Sequence, residues 1–254
     1  MSNPHSYEFP LTEFIRTALK IDRLGRFFDE SVVSISTEEE IRNLVMRMLE
    51  LYTLISRAEL KNELIKEVEK RSSRLNRLKS FPEIDQLALK ETLASLQNAL
   101  KELKAIPTNS YSKPLPYLID AAKQRQSIPG GQFEFDLPGY QYWLSLDTNR
   151  CKSEIMNVLS GLSPITKTVS LLLDLIRNSA TATTETATNG VFQLNASNDS
   201  ELIIIKLTGN EHIFPEISGG RHRVFIRFME FSGINEKNSQ SSKSVKFQLK
   251  TCHI

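Results

Sequence analysis

Cysteine is scarce in this 254-residue chain, with Cys151 and Cys252 the whole complement. Two thiols cannot form a disulfide framework, and their number fits a reducing cytoplasm. Net charge is nearly absent: 32 Lys and Arg face 30 Asp and Glu, leaving +2 at pH 7. No whole-protein basic field therefore points to nucleic acid, and any cationic site must be local. No uninterrupted apolar run reaches the ~18 residues of a membrane span. The opening residues lack the basic and apolar regions of a secretory leader, so secretion is not expected. Neither G-x-x-x-x-G-K-[ST] nor G-x-G-x-x-G occurs, which leaves nucleotide chemistry without its usual phosphate cradle. No serine stands in a G-x-S-x-G elbow. A zinc reading would draw on His212, His222, Cys252 and His253, whose spacings match none of the usual ligand pairs. Catalysis, a cofactor and a metal are all unexpected.

What is present is ordinary globular composition, 40% hydrophobic and 24% charged, in a chain long enough for a sizeable core. Leu11, Phe14, Ile15, Ala18 and Leu19 recur at helical spacing, with Pro10 placed to begin that helix. Thr37 followed by Glu40 forms a capping-box pattern before the stripe Ile41, Leu44, Val45, Met48, Leu49, Tyr52 and Ile55. From Arg57 to Lys104 the composition turns to Lys, Glu, Arg, Leu and Gln, broken only by Phe81-Pro82. Leu89, Leu93, Leu96, Leu100 and Leu103 form a heptad seam, and Leu64, Val68, Leu75 and Leu78 follow its rhythm with Arg71 interrupting. A helical hairpin is expected, its seam closing internally, with a second subunit as the alternative partner. The proline-rich stretch Ile106 to Pro116 reads as a loop, followed by a short helix, Tyr117 to Gln126. After the Ile128-Pro129-Gly130-Gly131 turn, Gln132 to Asp136 alternates like a short strand that Leu137-Pro138 ends. Trp143 and Leu144 fit a core. Further helices are expected over Cys151 to Ser160 and Pro164 to Ser179.

Beyond Ser179 the pattern becomes β. Thr181 to Ala187 is rich in Thr and Ala, while Val191 to Leu194, Leu202 to Leu207 and Val245 to Leu249 are strand-like, with Asn189-Gly190 and Asn198-Asp199-Ser200 as turns. The stretch from Ser218 to Phe228, SGGRHRVFIRF, joins a clear period to a clear chemical asymmetry. As a strand it puts His222, Val224, Ile226 and Phe228 on one side and Arg221, Arg223, Phe225 and Arg227 on the other. Successive arginines then stand about 7 Å and about 13 Å apart, a spacing suited to an extended acidic partner. A solvated polar face explains the same pattern, since exposed charge is arginine's default state. Arginine alternating with phenylalanine on a strand could also contact phosphate and stack bases. Together these features predict an α+β protein. Residues 1–180 form a mainly helical body with a coiled-coil-like hairpin, whose short strand near 132–136 joins the β domain. Residues 181–254 form that mainly antiparallel β domain.

The ordered set of motifs resembles the ZapD family of bacterial Z-ring-associated cell-division proteins. The resemblance rests on Tyr7-Glu8-Phe9-Pro10-Leu11 with Glu13, Arg16 and Thr17; Glu63-Leu64 with Lys66-Glu67; Ser127-Ile128-Pro129-Gly130-Gly131 with Phe135-Asp136-Leu137-Pro138 and Trp143-Leu144; Leu173-Asp174-Leu175-Ile176-Arg177 with Ser179-Ala180; Asn189-Gly190; and Pro215-Glu216-Ile217-Ser218-Gly219 with Ile226-Arg227-Phe228-Met229. It implies a cytoplasmic, non-enzymatic homodimer. Such a dimer binds the C-terminal tail of FtsZ and cross-links FtsZ protofilaments into bundles at midcell. It further implies a tail-binding basic surface on the β domain, matched here by Arg221, Arg223 and Arg227 with Phe225 among them. Lys123, Arg125 and Lys113 are expected to extend it. Where relatives carry further arginines, this chain has Pro114, Pro116 and Tyr117, and Thr181 to Thr188 also lacks the family's basic residues, so either a narrower patch or a different cognate tail is expected. Neither a membrane nor, on balance, nucleic acid is expected as a partner.

Overall fold

A computed structural model describes residues 5–31, 35–57, 59–107, 110, 115–131, 133–197, 199–207, 212–220 and 222–253. The chain is α+β and divides into two compact units, Met1–Leu19 with Leu171–Ile254, and Lys20–Ser170. The division falls within the first helix, α1 (Glu13–Ser31), and the last, α8 (Ser163–Arg177). No single described helix is long and apolar enough to cross a membrane.

In the helical unit, α2 (Glu38–Ile55) begins as its sequence prescribes. The Thr37 hydroxyl accepts from the Glu40 N–H, and the Glu40 carboxylate accepts from the Thr37 N–H at 2.9 Å, closing the capping box. Its predicted stripe from Ile41 to Ile55 is buried throughout. That stripe packs against α6 (Pro138–Leu144) and α7 (Thr148–Ser160). Pro138 supplies the first turn of α6, a helix where the sequence pattern gave only core residues. Trp143 is buried, and its indole N–H donates to Glu154 at 2.7 Å. Helices α3 (Leu60–Arg77) and α4 (Gln86–Ala105) pack together as the predicted hairpin. Leu64 and Val68 are buried on one arm, with Leu89, Leu93, Leu96 and Leu103 on the other, so the seam closes within the chain. Arg71, the interruption in that seam, is fully buried and bonds the Glu67 carboxylate one turn earlier. The short helix α5 spans Tyr117–Gln124.

Two local expectations change. Residues 133–136 form turns, not a strand: the Asp136 and Leu137 N–H groups both donate to the Phe133 carbonyl, curling the segment back on itself. Its alternating aromatics, Phe133 and Phe135, are accordingly both exposed. Pro10 ends a strand, β1 (His5–Pro10), before α1 starts at Glu13, where the Thr12 hydroxyl accepts from the Ile15 N–H at 3.2 Å. Proline is tolerated there because β1 is an edge strand.

The β unit is two facing antiparallel sheets. The first has the order β1, β4 (Ser200–Leu207), β8 (Val245–His253), β2 (Thr183–Ala187). The second has β3 (Val191–Asn195), β6 (Arg223–Glu230), β5 (Ile213–Gly219), with the two-residue β7 (Ser239–Gln240) also pairing β6. Ile203, Ile205 and Leu207 of β4 and Val245, Phe247 and Leu249 of β8 bury one face of the first sheet against Val224, Ile226 and Phe228 of β6. The Phe228 and Phe247 ring centroids meet at 4.9 Å across this core. On the other face of the first sheet, Arg177 at the end of α8 pairs with Glu8 at 2.7 Å, and the Lys250 ammonium donates to the Arg177 carbonyl at 3.3 Å.

Candidate functional site

The β6 strand alternates as its sequence does. Val224, Ile226 and Phe228 are fully buried, while Arg223, Phe225 and Arg227 stand on the opposite, solvent-facing side. A period of two makes this unavoidable once three apolar side chains are committed to the core. The strand starts at Arg223 rather than at Ser218, because the chain reverses between β5 and β6, pairing Gly219 with Val224. Gly219 has φ +133°, and a Cβ there would lie 2.2 Å from the Arg223 carbonyl oxygen, so the hairpin requires glycine. His222, expected on the buried side, sits exposed in this turn. Arg221 and Lys113 lie outside the described residues.

Neighbouring strands complete the face. Across β3, Arg227 pairs with Val191, Phe225 with Gln193 and Arg223 with Asn195. Across β5, Arg227 pairs with Glu216 and Phe225 with Ser218. The Arg227 guanidinium donates to the Glu216 carboxylate at 3.0 Å, with the arginine side chain 58% and the glutamate 44% exposed. This pair offsets part of the strand's charge, yet a pair so open to water is readily exchanged for another anion. Arg223 forms no ion pair with any described residue, and its guanidinium carbon lies 5.9 Å from the Phe225 ring centroid. Phe225 is 39% exposed, an apolar patch between two cations. The face therefore offers one guanidinium with no ion pair among the described residues, one exchangeable guanidinium and an aromatic surface.

Lys123 and Arg125 belong to the helical unit, at the end of α5 and just beyond it. The Lys123 ammonium lies 5.0 Å from the Tyr52 ring centroid. Arg125 bonds Asp136 at 2.8 Å, the pairing that ties down the turns after Gly131. Sequence reasoning missed Glu216 as the partner of Arg227, and Gln193 and Asn195 as members of the face. The alternation of Val191-Phe192-Gln193-Leu194 carried the signal for β3, but only strand register puts it beside the arginines. Among the described residues no group of three or more His, Cys, Asp or Glu side chains could hold a metal ion. Burial pushes the Cys252 thiol up to about 11 and raises that of Cys151.

Fold and site thus define an α+β protein with a helical unit and a two-sheet unit presenting an arginine-phenylalanine row. A family model described as "ZapD: Cell division protein" matches residues 22–227. A protein of Methylococcus capsulatus named "Cell division protein ZapD" is 32% identical over 259 aligned positions, covering 99% of this chain and 99% of the relative. One of Escherichia coli with the same name is 30% identical, covering 97% of this chain and 98% of the relative. The chain belongs to the ZapD family of cell division proteins.

Proposed function

We propose that this cell division protein binds the C-terminal tail of FtsZ through the outer face of β6 and that, as a homodimer, it cross-links FtsZ protofilaments into bundles at the midcell division ring in the cytoplasm. The observation that carries the reading is the exposed row Arg223, Phe225, Arg227 over a buried Val224, Ile226, Phe228. An acidic, extended segment meets guanidinium charge at both ends of that row and an apolar ring in the middle. Arg221, Lys123, Arg125 and Lys113 are proposed as further tail-binding residues, each acting through its positive charge. The role is non-enzymatic and needs no cofactor: one tail site per protomer holds one filament, two linked sites bridge two, and linkage raises the effective concentration for the second contact. Co-sedimentation with FtsZ filaments, with and without the FtsZ tail, is the test. Bundles should form only with the tail present. Equal bundling by tail-less FtsZ would overturn the assignment, and sedimentation showing only monomer alongside intact bundling would overturn the dimer mechanism.

A further inference from the structure

We infer that the open edge of β3 is a strand-docking site at which an acidic extended peptide adds to the second sheet through main-chain hydrogen bonds, laying alternate side chains beside the Arg223-Phe225-Arg227 row; the identity of that peptide rests on the reading above. The direction of each β3 backbone group can be traced from its neighbours. Gly190 accepts from the Phe228 N–H at 2.8 Å, and the Ala196 N–H donates to the His222 carbonyl at 3.2 Å. Even-numbered residues of β3 therefore face β6, and odd-numbered ones face away. Val191 has its own N–H and C=O occupied by Thr188, at 3.0 and 3.1 Å. Gln193 and Asn195 remain. Their backbone N–H and C=O groups point off the edge of the sheet, and β3 pairs with no strand other than β6 among the described residues.

The other edge is built differently. In β5 the Gly220 N–H donates to Arg223 and the His212 carbonyl accepts from Phe231, so its odd-numbered residues face away from β6. One of these is Pro215, which has no N–H to give, a familiar way of blunting an edge. Glu216 adds a carboxylate on that side of the arginine row, whereas β3 carries Val191, Gln193 and Asn195 and no charge at all. Both the hydrogen bonding and the electrostatics favour β3. Backbone and side-chain placement also coincide there: Gln193 and Asn195 present their side chains on the arginine face and their amides at the edge. A strand added at the edge would lie about 4.8 Å beyond β3 and about 9.6 Å from β6. From that position, acidic side chains on its outer face meet arginines leaning across Val191 and Asn195. Main-chain bonds then supply affinity, while alternate side chains supply selectivity, the division of labour usual in strand addition.

The test uses the full chain and a labelled synthetic FtsZ-tail peptide, N-methylated at one backbone nitrogen at a time. A second probe, a peptide of about eight residues alternating Glu and Val, matches only the general chemistry. Strand addition predicts a loss of about tenfold at alternate N-methylated positions and little change between them, since a blocked amide facing β3 loses its bond outright. Gln193→Pro removes an edge-facing N–H without touching the bonds to β6, and should weaken both probes while leaving the melting temperature near wild type. If that variant fails to fold, the N-methyl scan on wild-type protein still decides. Tail binding that needs Arg223 and Arg227 but ignores every N-methyl group overturns strand addition and leaves the proposed function standing. Alternating sensitivity with the Glu-Val peptide but no tail binding supports the edge and overturns the tail assignment. Binding of neither probe overturns both. Should Gln193→Pro instead dissociate a dimer and leave peptide affinity intact, the edge serves a second copy of the chain and the inference falls.

Discussion

The double variant Arg223→Glu, Arg227→Glu puts the assigned face to its sharpest test, because structure separates its effect on binding from its effect on folding. Both side chains point away from the core that Val224, Ile226 and Phe228 fill, so no cavity opens. Among the described residues Arg223 has no ion pair to lose. Arg227 does: its bond to Glu216 is removed, and a carboxylate then faces Glu216 directly across the β5–β6 pair. Exposed pairs contribute about 0.2 to 1 kcal/mol, and like charges set opposite each other cost a similar amount. The fold should therefore weaken by at most about 2 kcal/mol, nearly all of it from residue 227. Binding should suffer more. Truncating a hot spot commonly costs about 2 kcal/mol, roughly a thirtyfold loss, and reversal adds repulsion from an acidic tail. Titration of a labelled FtsZ-tail peptide, with circular dichroism melts as folding control, reads both quantities. Wild-type affinity should also fall as salt shortens the screening length below about 10 Å, while the Phe225 contact leaves a salt-insensitive residue of binding. A folded double variant that binds the peptide as tightly as wild type would show that this face is not the site. Arg223→Glu alone should retain most of the binding defect with almost none of the stability cost.

Three further outcomes follow from the packing. Phe228→Ala removes a fully buried ring that meets Phe247 at 4.9 Å, and should cost about 3 to 5 kcal/mol, lowering Tm on the order of 10 °C in a thermal melt. Gly219→Ala forces a side chain into φ +133° with its Cβ 2.2 Å from the Arg223 oxygen; about 1 to 3 kcal/mol of strain should lower Tm and, by shifting the start of β6, weaken tail binding in the same titration. The Glu40 carboxyl is held below the usual carboxylate value, chiefly by the Ser36 N–H and then by the Thr37 hydroxyl and N–H. Its contribution is thus complete above the ordinary carboxylate pKa and lost as pH falls through the lowered folded value. Melts from about pH 6 to about pH 3 should show a shallower acid limb for Glu40→Gln than for wild type, and identical slopes would refute that assignment.

Much of this molecule was legible where one short segment carries both cause and effect. The Thr37-to-Glu40 cap is complete within four residues, and its bonds are those the sequence prescribes. The apolar stripe of α2 needs only the 3.6-residue period, and the faces of β6 need only the period of two. Reading failed first where local alternation was a poor guide. Phe133-Glu134-Phe135-Asp136 alternates like a strand, but the glycine turn before it curls the backbone so that Asp136 bonds Phe133 instead of a neighbouring strand. His222 fits the buried side by parity, yet the Gly219 hairpin ends one strand before it and begins the next after it. The rest depended on pairing between distant segments. The heptad pattern favoured a seam closed within the hairpin and left a second subunit as the alternative; the packing of α3 against α4 takes the first. Periodicity placed Arg223, Phe225 and Arg227 on one side of a strand, because side-chain direction is set by the residue's own backbone. That Glu216 bonds Arg227, that Pro215 blunts one edge, and that Gln193 and Asn195 line an edge with no further strand among the described residues were decided only by register and strand order, which arise when remote strands bury their apolar faces together.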